Sequence, residues 1–355
     1  MHVLFQLLII IAILSMLFYL PKIKKGSEKQ RDTIYLVFVF ILLGVVHIFK
    51  NTHSIPDVDL YIDGFKEISQ NKVRELLTDN LYTLKAEKGY ILLNKLILLF
   101  TKSPMGLILV TSVIILCGYF FSIRKYSPIV FLSVFLYLMG PYAQSIYVLR
   151  QHMAMSILLF TYPYIINRQL LKYLIVVLLA FSIHQSAFIF LPVYFIYEIK
   201  NIKTVFILGC LFIVMVVSRM EVIIEYFIQN MFMDYVSYLQ DDTTNWKNFA
   251  LLFSVLFIRL IVLKKDFVKE GIDRLLSIMI LLGVAVSYLG MGFPGIGRLN
   301  LYFSECLFLV LPNTVSHIKN KVMAISITTA YIIFLLAFFI KHVQTGEIRS
   351  LTLSF

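Results

Sequence analysis

Apolar runs of membrane-spanning length recur along nearly the whole chain, and this repetition constrains the fold more than any motif does. They fall at about residues 3–20, 33–49, 104–123, 128–141, 145–166, 169–183, 185–198, 202–218, 247–263, 272–290, 299–317 and 321–340. A hydrocarbon core about 30 Å thick is crossed by a helix of roughly 17 to 25 apolar residues, and lipid makes the unpaired edges of an open sheet too costly. The pattern predicts an all-α, polytopic integral membrane protein with about twelve transmembrane helices. Composition agrees, since 60% of the 355 residues are hydrophobic and only 15% are charged, against about 45–50% and about 25% in soluble domains. The runs at 128–141, 169–183 and 185–198 are short, and need polar flanks in the interface or steep packing inside the bundle. No repeat, low-complexity tract or hinge-like linker divides the chain, so residues 1–355 read as a single transmembrane domain.

The net charge of +12 does not point to a nucleic-acid partner, because the basic residues sit in short connections and at helix ends, where they report topology. Lys22, Lys24, Lys25, Lys29 and Arg31 place the first connection inside and the N-terminus outside. Counting onward puts Arg124 with Lys125, Arg168 with Lys172, Lys200 with Lys203, Lys264 with Lys265 and Lys269, and Lys319 with Lys321 inside as well. That agreement requires residues 89–101, about twelve apolar residues, to form a re-entrant or interfacial helix rather than a span. Residues 3–20 lack a basic leader and a small-residue cleavage site, which predicts a retained first helix. Two external loops follow, at about 50–88 and 219–246. In the second, Ile223, Phe227, Met231 and Tyr235 recur every four residues, as in a helix lying flat among headgroups, with Trp246 at the interface. Cys117, Cys210 and Cys306 stand singly in apolar runs and read as small core residues.

Soluble-enzyme motifs such as GxSxG, the P-loop or HExxH are absent, so chemistry has to reside in polar groups misplaced for lipid. Tyr147, Arg150, Gln151 and Ala154 share one helical face near an outer end. A guanidinium there can grip a phosphate with paired hydrogen bonds, or merely snorkel to headgroups. Ser182, His184, Gln185 and Ser186 lie at a tight outer turn, where the histidine suits a general base or a helix cap. Arg298, Tyr302 and Glu305 follow Gly292, Gly295 and Gly297. Glu305 lies about 10 Å below Arg298 at 1.5 Å per residue, and either Arg298 or Arg150 is a candidate partner for it, in a site or a structural ion pair. In the first external loop, Asp57 and Asp59 beside Tyr61 suit sugar binding or general-base work, with solvated acids as the plainer reading and a divalent cation as a lesser one.

Taken in order, these patches resemble the EpsG family of bacterial exopolysaccharide and O-antigen polymerases, relatives of Wzy-type enzymes. The resemblance rests on Asp57 with Tyr61, on Glu87, Lys88, Gly89 and Tyr90, on Arg150 with Ala154, on His184, Ser186 and Ala187, and on Arg298 with Tyr302 and Phe303. It spans about residues 30–305. Lys50 and Pro56 stand where the family pattern has an arginine and a glycine, a departure that bears on any phosphate contact from that position.

The resemblance implies an all-helical, C-type glycosyltransferase-like plan in the bacterial plasma membrane, with the active site on the outer face. The implied reaction joins oligosaccharide repeat units carried on undecaprenyl diphosphate, which leaves as the new glycosidic bond forms. Donor and acceptor lipids are the expected partners, contacts with other polysaccharide-assembly proteins are compatible with it, and no metal or cofactor is expected. In this reading His184, Asp57 and Asp59 are candidate catalytic bases. Arg150 and Arg298 bind diphosphate, and Tyr61, Glu87, Tyr147, Gln151, Gln185, Tyr302 and Glu305 contact substrate. A flippase for the same lipid-linked sugars and a membrane acyltransferase using His184 are the rival classes. Concentration of ionisable residues toward one face disfavours the carrier, which places charges near the midplane.

Overall fold

Capping chemistry sets several helix boundaries. The computed structural model describes residues 2–19, 27–52, 55–72, 86–199, 246–264, 267, 269–292, 299–346 and 348–353. Helix α1 spans Val3–Tyr19. Helix α2, Glu28–Ile48, begins before its apolar run because the Ser27 side chain accepts the Gln30 N–H, a standard N-cap. Ser103 caps α5 (Pro104–Tyr126) and Asn320 caps α15 (Lys321–Thr345) in the same way. Between α2 and α5 lie α3 (Pro56–Gln70) and α4 (Lys88–Leu98). The chain continues through α6 (Val130–Ser145), which contains a π-helical turn at Leu138–Tyr142. Next come α7 (Leu149–Leu159), α8 (Tyr162–Ile166), α9 (Leu170–Ile183), a 3-10 turn (Gln185–Phe190) and α10 (Pro192–Glu198). The C-terminal half adds α11 (Trp246–Leu263), α12 (Ile272–Gly292), α13 (Leu301–Ser304) and α14 (Leu307–Ser316).

All regular structure among the described residues is helical, apart from one isolated bridge between Lys50 and Leu353. Helices α2, α5, α11, α12 and α15 are long and apolar enough to cross a membrane, and α1, α6, α9 and the α13–α14 stretch are shorter apolar helices. Side chains such as Leu171 (73% exposed) and Ile325 (66%) turn apolar groups outward, which suits lipid and would be a liability in water.

Some expectations change here. The first external loop is not a loop throughout: α3 buries Ile55, Val58, Ile62, Phe65 and Ile68 along one side, a helical spacing hidden in the sequence by the interleaved acids. The run at 145–166 is broken, because Pro163 cannot donate an N–H and α7 closes at Phe160 before α8 begins. Cys306 is buried, but Cys117 is exposed on α5 rather than in the core. Cys210 and the predicted flat helix at 219–245 lie outside the described residues, as does the run at 202–218. The short stretch before α5 does form a helix, α4, whose end leaves Leu99 and Phe100 exposed.

Contacts sort the helix ends into two groups. At one, Arg124 donates to Thr33 Oγ1 (2.9 Å), Arg168 pairs with Glu198 (3.2 Å) and Glu270 (2.6 Å), and Arg274 lies over the Tyr197 ring. This group also holds Arg259, fully buried in α11 and missed in the sequence despite being a charge inside an apolar run. Its guanidinium donates to Ser277 Oγ, Asn313 Oδ1, Thr314 Oγ1 and the Asp273 carbonyl at 2.7–2.9 Å, tying α11, α12 and α14 together. The other group gathers Lys50, Glu87, Ile146, Arg150, His184, Ile348 and His2.

Close helix approach depends on small residues. Gly118 in α5 meets Ser156 in α7: the Gly118 N–H donates to Ser156 Oγ (3.2 Å), which donates to the Ile114 carbonyl (2.7 Å). A Cβ on Gly118 would collide with the Ser156 carbonyl and hydroxyl oxygens. Gly118→Val is therefore expected to cost about 1–3 kcal/mol, the usual range for overpacking, seen as a lower melting temperature in detergent; a wild-type melting curve contradicts this crossing.

Candidate active site

Glu87 organises the second group of helix ends. It is the N-cap residue of α4, yet its carboxylate makes no capping bond. It turns instead toward α7 and α9. Arg150 Nη1 donates to Glu87 Oε2 at 2.8 Å, and His184 Nδ1 donates to Oε1 at 2.9 Å, where the Gln185 backbone N–H also donates at 2.9 Å. The Glu87 side chain is 16% exposed, so these are partly desolvated pairs. Burial pushes the Glu87 carboxyl up, but the His184 hydrogen bond and the Arg150 charge outweigh it and hold the group below its ordinary value.

Local packing explains why these groups meet. His184 ends α9 in an extended conformation (φ −153°, ψ 114°) before the 3-10 turn begins. Gly89, two residues after Glu87, rests against Ser182, two residues before His184. A Cβ at Gly89 would come within 2.6 Å of the Ser182 carbonyl oxygen, so only glycine lets the first turn of α4 reach the last turn of α9. Arg150 is flanked by two tyrosines, with its guanidinium carbon 5.8 Å from the Tyr61 ring and 5.7 Å from the Tyr90 ring, a favourable cation–π arrangement. Burial pushes the Tyr61 phenol up while Arg150 pulls it down, and burial wins. Just upstream of Arg150, the fully buried Lys50 ammonium donates to the Ile146 carbonyl at 2.7 Å, and burial pushes it down to about 7.

The other sequence-derived candidates divide. Asp57 and Asp59 occupy the first turn of α3, the former exposed. Tyr147 is not on the helical face expected for it: α7 starts only at Leu149, and the Tyr147 ring lies in the preceding turn, 5.9 Å from the His342 ring. Gln151 is buried, whereas Gln185 reaches Glu87 through its backbone and leaves its side chain exposed. The Tyr302 hydroxyl hydrogen-bonds Ser186 Oγ at 2.8 Å. Arg298, with Gly295 and Gly297, lies outside the described residues.

Of the two arginines expected as candidate partners for Glu305, Arg150 pairs with Glu87 and Arg298 lies outside the described residues. Among the described residues Glu305 meets His152 Nε2 at 2.8 Å and the Tyr119 hydroxyl at 2.5 Å. Both partners were missed. His152 stood as an ionisable group inside an apolar run, a usable signal; Tyr119, one of 21 tyrosines, gave none. Among the described residues no three His, Cys, Asp or Glu side chains gather to hold a metal ion. What the arrangement offers chemically is an oriented imidazole, an anchored guanidinium and neighbouring hydroxyls, all at one end of the bundle.

The family model described as the EpsG family matches residues 33–351. Comparison with curated proteins and with solved structures finds no match.

The lowered Glu87 ionisation carries a sign. A carboxyl depressed on folding adds stability above its unfolded value, about 4.3 for glutamate, and that stability is lost as pH falls through the folded value. At neutral pH Glu87→Gln should destabilise by about 3 kcal/mol, the lower end of the cost of stripping one partner from a buried pair. The gap in melting temperature between wild type and variant should close below about pH 4; a gap that is constant with pH rules out an ionised Glu87 as the hub.

Proposed function

The chain belongs to the EpsG family, and from that premise, which suggests a polysaccharide-polymerase-like membrane protein, we propose a glycosyltransferase that joins oligosaccharide repeat units carried on undecaprenyl diphosphate. The observation that carries the reading is the carboxylate of Glu87 held between Arg150 and His184. In the reaction, the acceptor hydroxyl oxygen bonds to the donor's anomeric carbon. The bond from that carbon to the diphosphate oxygen breaks with its electron pair, and undecaprenyl diphosphate leaves. The hydroxyl proton needs a base. With Nδ1–H donated to Glu87, neutral His184 offers Nε2 as that base, and the carboxylate stabilises the imidazolium that forms. Asp57 and Asp59 are the competing bases.

A guanidinium has five N–H donors, and in this reading Arg150 turns part of its fork toward a diphosphate oxygen and stabilises its growing charge. Arg298 is the second such cation in this reading. Tyr61, Tyr147, Gln151, Gln185 and Tyr302 are the sugar contacts of this proposal, while Glu87 serves as the positioning group. Glu305, buried against His152 and Tyr119, is withdrawn from substrate contact.

Basic connections near Arg124 and Arg168 support a cytoplasmic side for that end, and in this reading the Glu87 end faces outward, at the outer face of a bacterial plasma membrane. About twelve passes on a C-type glycosyltransferase-like plan complete the proposal, with polyprenyl tails entering between helices. A flippase is favoured by one observation, the His152–Glu305 pair deep in the bundle, since carriers keep ionisable groups there. The hub at one end weighs toward catalysis. An acyltransferase would share His184 but has no use for paired arginines.

Arg150→Ala and His184→Ala are each expected to reduce long-chain polymer by at least roughly 100-fold, in the range for losing a general base, with single repeat units left on lipid. Purified wild-type protein in vesicles should polymerise lipid-linked units without nucleotide or pump. Normal chain length in both variants, or translocation alone in vesicles, rejects the polymerase.

A further inference from the structure

Beneath the Glu87 hub lies a second ionisable constellation for which glycosyl transfer has no evident use. His152 sits two residues after Arg150, so at 3.6 residues per turn it faces about 200° around the helix. Its ring is fully buried and both nitrogens are engaged: Nδ1 with the Val148 carbonyl at 2.9 Å and Nε2 with Glu305 Oε1 at 2.8 Å. A carbonyl only accepts, so Nδ1 must carry a hydrogen. If the imidazole is neutral, Nε2 is then a lone pair and Glu305 must be the carboxylic acid. If the carboxyl is ionised, the ring must be imidazolium. Either way a proton lies between Nε2 and Oε1, and the pair is neutral overall, the form that a low-dielectric interior favours.

The surroundings suit that proton. Tyr119 from α5 donates to the other carboxyl oxygen. Tyr137 of α6 is within electrostatic reach of Glu305, and the buried His47 of α2, held by Ser112 and Ser145, is within reach of His152. Glu305 also lines a cavity of about 20 Å³ with Tyr119, Tyr162, Tyr302 and Cys306, room for about one water molecule with polar partners on its walls. Tyr302 links outward, because its hydroxyl bonds Ser186, two residues beyond His184.

We propose that Tyr119, His152 and Glu305 form a buried proton-binding site that holds one exchangeable proton, and that Tyr302 couples its occupancy to the outer site through Ser186. Loss of the proton leaves a bare carboxylate, which draws hydroxyl donors across the cavity, Tyr302 among them, away from Ser186. Proton loss thus loosens the turn that carries His184. His152 and Glu305 are positioning residues here, acting through Tyr302. The coupling to turnover rests on the proposed polymerase; the proton site does not.

Glu305→Gln discriminates, because its amide donates to Nε2 and its carbonyl accepts from Tyr119, copying the proton-loaded form. In pH-difference infrared spectra of purified protein, wild type should show a carboxyl or imidazole band that is absent in Glu305→Gln. In the vesicle assay, the alkaline fall in kcat should disappear in Glu305→Gln with KM unchanged. In Tyr302→Phe the infrared band should persist while kcat no longer follows it. Identical infrared spectra for wild type and Glu305→Gln, or superimposable kcat profiles, overturn the proposal. Should Glu305→Gln fail to accumulate in membranes, His152→Gln is read by the same spectra with the same two outcomes. Wild-type protein that makes no polymer refutes the polymerase and leaves the infrared test of the proton site standing.

Discussion

An ionised carboxylate largely hidden from water must be matched by donors, and Glu87 draws them from two distant parts of the chain. Arg150 comes from the start of α7, and His184 with the Gln185 N–H from the end of α9. The cost of leaving the Glu87 carboxylate or the Arg150 guanidinium unmatched in a dry setting is several kcal/mol, so the ends of α4, α7 and α9 are tied to one point. The glycine at position 89 is the steric condition for that meeting, and the tyrosines around Arg150 enclose it.

Much of the scaffold was legible because lipid allows few choices. Apolar runs had to become helices, and those at 33–49, 104–123, 247–263, 272–290 and 321–340 correspond to the five helices long enough to cross. The amphipathic α3 was hidden because Asp57, Asp59, Asp63, Lys66 and Glu67 interrupt its apolar stripe. Arg150 and His184 stood out as ionisable groups at the ends of apolar runs. Their common partner did not, since positions 87, 150 and 184 are joined only by packing. Glu305 was visible as a carboxylate out of place, but its pairing with His152 depends on α7 turning alternate residues to opposite sides, Arg150 toward α4 and His152 toward α13. Tyr147 was placed one turn too far into a helix that starts at Leu149.

The polar groups therefore occupy two levels. The upper one, around Glu87, is partly open and built around a carboxylate shared by Arg150 and His184; the lower one, around Glu305, is buried and lined by tyrosines. Ser186 and Tyr302 join them. Arg259, at the opposite end, has its donors satisfied by Ser277, Asn313, Thr314 and Asp273, which suits a structural clamp and contrasts with the hub, where catalysis needs groups that can re-partner with substrate.

The central claim is that α4 and α9 meet at Glu87 and His184 on the outer face of the membrane. The most direct measurement is cross-linking of Glu87→Cys with His184→Cys, with Cys117, Cys210 and Cys306 replaced, by a short membrane-impermeant bifunctional thiol reagent added to intact cells. The account predicts that the two positions are joined from outside, detected after proteolysis between them. Joining only in inverted vesicles would put the site on the wrong side, and no joining from either side would separate the two helix ends and dissolve the site.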